Sequence, residues 1–196
     1  MKSIRYYIYY MKVKNKKAKD REMQFELDAF KQLSQIPKSY TYHGTYIPIH
    51  RNNGITEIDL IVVNCHGIFC FEVKYTKHPF IGSQDAQFWY KKGTHQRIRN
   101  PFIQNRYHVE ALATYLGMDA ALIKNCVLVN QIDQPLPDLF TLKSAMTQTR
   151  STSNRLSQSE IRSINRLLLK RQRWMLFKKW KHRRYRKKMI LRCING

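Results

Sequence analysis

The 196-residue sequence predicts an α/β domain built on a mixed β-sheet, and three observations carry that prediction. The elements read in the order helix, strands, hairpin, helix, strand, a mixture that packs best as helices laid against a sheet. Two apolar, β-rich runs, Ile58 to Val63 and Ile68 to Tyr75, are separated only by Asn64, Cys65, His66 and Gly67, which reads as a hairpin. A third apolar run, Ala121 to Asn130, has the length and composition of a buried strand.

Residues 20 to 35 place Met23, Leu27, Phe30 and Leu33 at helical spacing, and Pro37 follows as a stop, so an amphipathic helix is expected there. Residues 38 to 50 are rich in Tyr, Thr and Ile but include a Gly and a Pro, which predicts a strand near a sheet edge, and Arg51 to Gly54 is a polar turn. Asn100-Pro101 supplies an N-cap and a first-turn proline for a helix that Gly117 should terminate. Gln131 to Ser159, rich in Pro, Ser, Thr and Gln, reads as loops or a linker. Residues 160 to 192 read as a basic helix with Ile161, Ile164 and Leu168 on one stripe and Trp174, Phe177 and Trp180 among cations. The expected organisation is a basic N-terminal segment (1–19), a central domain (20–150), and a linker with a basic helical tail (151–196).

The formal net charge of +23 is distributed unevenly. Residues 1 to 19 carry seven Lys/Arg and no acid; residues 20 to 149 carry thirteen against twelve acids; residues 150 to 196 carry sixteen against Glu160 alone. Cationic blocks of this kind attract polyanions, either nucleic acid or an anionic membrane surface. No run approaches the roughly 18 apolar residues of a membrane span, and the N-terminus has no secretory cleavage pattern. Cys65, Cys70, Cys126 and Cys193 form no C-x-x-C pair, which argues against a zinc ribbon or a dithiol redox motif and fits idle thiols in a reducing compartment. A soluble cytoplasmic protein is the expectation.

The chemistry concentrates in the hairpin. In Ile68 to Tyr75, Glu72 and Lys74 are two residues apart and share a face, about 7 Å apart at Cα. In Ile58 to Val63 the one charged residue is Asp59. Counting back from the turn pairs Val63 with Ile68 and therefore Asp59 with Glu72, with Cβ atoms about 5 Å apart. Two carboxylates this close repel unless a cation separates them, and Mg²⁺ takes such oxygen ligands. The Val73 carbonyl is a further candidate ligand, and Lys74 is placed to hold a water or to stabilise charge building on a phosphate. A solvated Asp-Glu-Lys cluster is the competing reading, but Ile61, Val63, Ile68 and Cys70 on the same face make that face covered rather than wet.

Glu26 in the first helix, Thr56-Glu57-Ile58-Asp59, Gly67-Ile68-Phe69, Phe71-Glu72-Val73-Lys74, Gly82-Ser83 followed by Trp89, and Asn100-Pro101 with Gln104-Asn105 together resemble the nuclease-related (NERD) domain family. That family is placed in the PD-(D/E)xK nuclease superfamily, and the resemblance spans roughly residues 20 to 130. It implies a restriction-endonuclease-like fold, metal binding by Asp59 and Glu72, Lys74 as the catalytic lysine, and Glu26 pointing into the site. Gln104 and Asn105 match a polar pair that contacts substrate or braces the site. Leu60 stands where the family often has His, and Tyr75 where Asn is common. The histidines show no metal-ligand spacing: His66 belongs to the turn, and His43, His50, His78, His95 and His108 are scattered. Trp89 reads as core rather than as a base-stacking surface.

These readings lead to a Mg²⁺- or Mn²⁺-dependent nuclease acting on DNA, with the basic tail and Trp174, Phe177, Trp180 and Tyr185 contacting the nucleic acid. Two alternatives stand beside it. One is a non-catalytic nucleic-acid-binding protein on the same scaffold, whose binding would be steeply salt-dependent and indifferent to Mg²⁺. The other is a basic amphipathic helix lying on anionic lipid.

Overall fold

The computed structural model describes residues 21–49, 54–151 and 153–174. The expected N-terminal basic segment, the Arg51 turn and the tail beyond residue 174, with Phe177, Trp180 and Tyr185, lie outside the described residues.

The chain enters through helix α1 (Arg21–Leu33), which buries Leu27, Ala29 and Leu33. Strands β1 (Tyr40–Ile49), β2 (Gly54–Asn64) and β3 (Gly67–Lys74) follow as an antiparallel meander. The hairpin register is the one counted from the sequence, Val63 opposite Ile68. Asn64 pairs with Gly67 across a two-residue turn of Cys65 and His66, in which the Asn64 side chain accepts the His66 N–H at 2.9 Å. Gly67 has φ +137°, a conformation that side-chain-bearing residues rarely adopt.

The stretch after β3 departs from the sequence reading, which assigned it no element. It forms a small antiparallel sheet of β4 (Phe80–Ile81), β5 (Phe88–Lys91) and β6 (Arg97–Arg99). Trp89, 1% exposed, anchors this sheet onto Phe102, Val127 and Val129, so it is core.

Helix α2 (Pro101–Leu116) is bounded as its sequence predicts. The Asn100 side chain accepts the Phe102 N–H at 2.9 Å, proline occupies the first turn, and Gly117 ends the helix in the left-handed region. A short 3₁₀ turn (Ala120–Leu122) leads into β7 (Ile123–Val129), which pairs in parallel with β3. The segment 131–159, read as loops, holds a second departure: β8 (Leu139–Phe140), parallel to β7, and helix α3 (Leu142–Ser151). The main sheet therefore runs β1-β2-β3-β7-β8, mixed in direction, with β1 at an edge as expected.

Helices cover both faces of the main sheet. Ile61, Val63, Ile68 and Cys70 pack against Val109 and Leu112 of α2 and against Ile161, Ile164 and Leu168 of a fourth helix, α4 (residues 158–174). Leu60, Val62, Phe69, Phe71 and Val73 pack against Ala29 and Leu33 of α1 and Ala145 of α3. Each Val, Leu, Ile or Phe among them contributes about 1.5–3 kcal/mol on full burial, so both layers drive folding. The apolar stripe of α4 is therefore core, which removes it as a lipid-facing surface over the described residues. Among these residues no helix is long and apolar enough to cross a membrane. Cys70 and Cys126 are buried unpaired thiols whose pKa burial raises well above the usual range, which suits neither redox nor metal chemistry.

Candidate functional site

The site lies where the pairing of β2 with β3 ends, away from their turn, while β2 itself continues beside β1 to Gly54. Strict alternation would hold Ile58, Leu60 and Val62 on one face. Instead Ile58 belongs to the α2 layer with Ile61 and Val63, while Leu60 and Val62 belong to the α1 layer. The phase slips at Asp59. It slips in β1 as well, where Tyr42 and Ile47, five apart, share the α2 layer; between them Gly44 has φ +55°. A Cβ on Gly44 would come within 3.2 Å of Glu57 Oε1. Glycine here lets the two strands coil together past the site.

The backbone pairs of β2 and β3 end at Leu60–Phe71, and Asp59 takes over from the ladder: its Oδ2 accepts the Val73 N–H at 2.9 Å. Asp59 therefore sits across the end of the ladder rather than on the Ile61–Val63 face assigned by alternation. From there it feels charges on both layers. Burial, then Glu72, then Glu26 push its carboxyl up to about 8, against the opposing pull of the Val73 N–H and Lys74.

Glu72 is 1% exposed. Its Oε1 lies 2.5 Å from Lys74 Nζ as an ion pair, and its Oε2 lies 3.3 Å from His108 Nε2. Burial works to raise its pKa, yet the His108 hydrogen bond and the Lys74 charge and hydrogen bond together outweigh it and hold Glu72 below the ordinary carboxylate range. Lys74 answers in kind. Burial would lower its pKa, but Glu72, Asp59 and Glu22 raise it, so the ammonium stays charged.

Glu26 pairs through Oε1 with His43 Nε2 at 2.6 Å, which aligns it from the α1 side within the electrostatic range of Asp59. Gln104 is half-buried on the first turns of α2. Asn105 requires a correction to its candidacy as a substrate contact. It is 0% exposed, and its Nδ2 donates to the Cys70 carbonyl (2.8 Å), Asn125 Oδ1 (2.8 Å) and the Cys126 carbonyl (3.1 Å). It braces α2 against β3 and β7. Asn105→Ala should leave buried carbonyls unpaired and cost about 3 kcal/mol in urea unfolding.

Neither His108 nor His43 has a metal-ligand spacing in the sequence, yet both meet carboxylates of the cluster. His108 lies four residues after Gln104 and three after Asn105, on the inward side of α2, and its Nδ1 meets Thr56 Oγ1 at 2.8 Å. That helical spacing from the polar pair is the signal that could have found it.

The donor set suits a hard divalent ion. Glu26, Asp59 and Glu72 lie close together with Lys74 as the ammonium beside them, and burial, then Glu72 and Glu26, drive the Asp59 carboxyl towards its neutral form. Among the described residues no three His, Cys, Asp or Glu side chains are grouped to cage a metal. Mg²⁺ does not need such a cage, since it is commonly held by one or two carboxylates, waters and substrate phosphate.

The family model of the nuclease-related domain (NERD) matches residues 21–131, which spans α1 to the end of β7 and includes every one of these groups. No curated protein matches the chain. With more than half of its length in that match, the chain belongs to the nuclease-related domain family.

Proposed function

We propose that the protein is a divalent-metal-dependent phosphodiesterase that hydrolyses DNA at the Asp59–Glu72–Lys74 cluster. The observation that carries this reading is a nearly fully buried glutamate, Glu72, held ionised by Lys74 and His108 beside an aspartate that burial makes hard to ionise. Perturbed, charge-coupled pairs concentrate at reaction centres.

Asp59, Glu72 and the Val73 carbonyl would hold Mg²⁺ or Mn²⁺, which supplies Lewis-acid stabilisation of phosphate charge. The chain's own groups do the rest. Lys74 places a fixed positive charge, and protons, where a phosphoryl oxygen becomes more negative. His108, tied to Thr56, fixes the orientation of Glu72. Glu26, aligned by His43, adds negative potential that favours a cation at Asp59. The basic tail adds sequence-independent attraction to the phosphate backbone.

The direct test is to incubate the full chain with single- and double-stranded DNA and RNA in Mg²⁺ or Mn²⁺. Cleavage abolished by EDTA and by Asp59→Ala is expected, and no cleavage of any substrate would overturn the reading.

Asp59 also sets a pH dependence. Its folded pKa lies above its unfolded value, so between about pH 4 and pH 8 the folded chain binds more protons than the unfolded chain, and metal-free stability should fall as pH rises through that window. The slope is bounded at about 1.4 kcal/mol per pH unit for one proton. Urea unfolding in EDTA from pH 5 to 8 measures it, and Asp59→Asn should flatten it. A metal ion needs the ionised carboxylate, so the Mg²⁺-induced rise in Tm should be larger at pH 8.5 than at pH 6.5.

A further inference from the structure

Concavities open near both ends of the β2–β3 pairing. One, of about 410 Å³, is lined by Asn64, His66 and Arg150 at the turn end of β2 and β3, the far end of the strands from Asp59. The other, of about 490 Å³, adjoins the candidate site, between the start of α1, the chain continuing β3, and the β5–β6 hairpin.

This second cleft has a fixed floor. Tyr75 and Thr76 directly follow Lys74, and Asn130 clamps the Thr76 backbone from both sides: its Oδ1 accepts the Thr76 N–H and its Nδ2 donates to the Thr76 carbonyl, both at 2.9 Å. Gln131 adds a donor to the same carbonyl at 3.3 Å, and Thr76 Oγ1 donates to the His78 carbonyl at 2.8 Å. The loop beyond the site strand is thus preorganised, which lowers the ordering cost of binding. The cleft also communicates with the site: Glu22, on its wall, is one of the charges that raise the Lys74 pKa.

The lining chemistry is that of a phosphate ester carrying an aromatic base. Three permanent cations, Arg21, Lys77 and Lys91, face one carboxylate, Glu22. Gln96 Oε1 accepts from Lys91 Nζ at 3.1 Å and holds that ammonium at the wall. Tyr75, half-buried with its ring 6.1 Å from that of Phe25, supplies a supported aromatic surface. The volume suits one small ligand unit rather than a helix with its bases stacked inside. Cationic grooves with aromatic platforms bind unpaired strands.

We propose that this cleft is a nucleotide subsite that holds a single-stranded segment flanking the phosphate presented to Lys74, with backbone phosphates on Arg21, Lys77 and Lys91 and a base against Tyr75. The proposal rests on the nuclease reading for which phosphate is attacked, but not for the binding itself.

The test uses the full chain in EDTA, irradiated with a short single-stranded DNA carrying 5-iododeoxyuridine, together with a salt titration of binding for the parent and for Lys77→Ala/Lys91→Ala. The subsite predicts a crosslink on the peptide containing Tyr75. It also predicts that the salt slope of the double variant is lower by about 1.4, at roughly 0.7 for each single-strand phosphate that the variant no longer neutralises. Crosslinks confined to residues 150–196 with an unchanged slope overturn it. A chain that gives the Tyr75 crosslink and the lower slope but cleaves nothing in Mg²⁺ retains the subsite and loses the nuclease reading. A chain that cleaves without that crosslink retains the nuclease reading and loses the subsite.

Discussion

Replacing Lys74 with alanine should lower kcat for DNA cleavage by about 10²–10³-fold, the cost of removing one preorganised charge-stabilising group. The decrease should appear in kcat rather than in KM, because the substrate contacts proposed for the tail and the cleft do not involve this ammonium. Lys74 keeps 23% of its side chain exposed, against 1% for Glu72, so the fold should survive its removal. Glu72, at 1%, would lose its ion pair but keep His108. Lys74→Arg should not restore turnover, because a planar guanidinium cannot reproduce a compact ammonium 2.5 Å from Glu72 Oε1. Single-turnover cleavage in Mg²⁺, with urea unfolding as the fold control, measures both. Activity within twofold of the parent would remove Lys74 from the chemistry.

The second large effect is on the fold. Gly82→Ala should destabilise the chain by about 3 kcal/mol or more, at the upper end of overpacking costs. A Cβ at position 82 would stand 2.1 Å from Trp89 Cδ1, 2.6 Å from Nε1 and 2.7 Å from Cγ. The indole cannot yield easily. It is 1% exposed, its Nε1 donates to the Ser83 carbonyl at 2.8 Å, and it stands edge-on to Phe102 with ring centres 5.7 Å apart. The conflict is rigid against rigid, so it should be relieved by removing the ring. In a Trp89→Leu background the same alanine should cost much less, and a double-mutant cycle in urea reads that coupling. Additive effects would sink the explanation. The Gly82-Ser83 and Trp89 motif is thus a packing device: Gly82 admits the indole, and the Ser83 carbonyl holds it.

What the sequence reveals depends on how far each element's contacts repeat along the chain. The α2 boundaries were legible because Asn100, Pro101 and Gly117 act locally. The β2–β3 register was legible because a short turn leaves little choice in counting. The phase slip at Asp59 was not, because it is matched across the β1–β2 register by Gly44 on another strand, and alternation within β2 contains no trace of it. Strands of two to four residues, such as β4, β5 and β8, are too short for any period to register. Helix α3 was hidden for a different reason. Its fully buried positions, Ala145 and Thr149, are a small residue and a polar one, so the stripe is not hydrophobic enough to see. The charged residues of the cluster stood out in apolar strands, whereas His108 and His43 did not, since their partners Glu72 and Glu26 are distant in sequence.

The parallel pairing of β3 with β7 also governs when the site can exist. Ile68 pairs with Ile123, a separation of 55 residues (123 − 68), so the strand that carries Glu72 and Lys74 gains its second neighbour only through a long loop closure. The hydroxyl of Tyr42 in β1 meets Asn165 in α4, 123 residues away. Contacts this distant in sequence slow folding, because chain entropy is given up before they form. During synthesis the hairpin is made well before the strand and the helix that complete its surroundings. A nascent or truncated chain ending before residue 123 would hold Asp59, Glu72 and Lys74 on a hairpin still lacking its partner strand, so the candidate cluster is complete only after that strand is made.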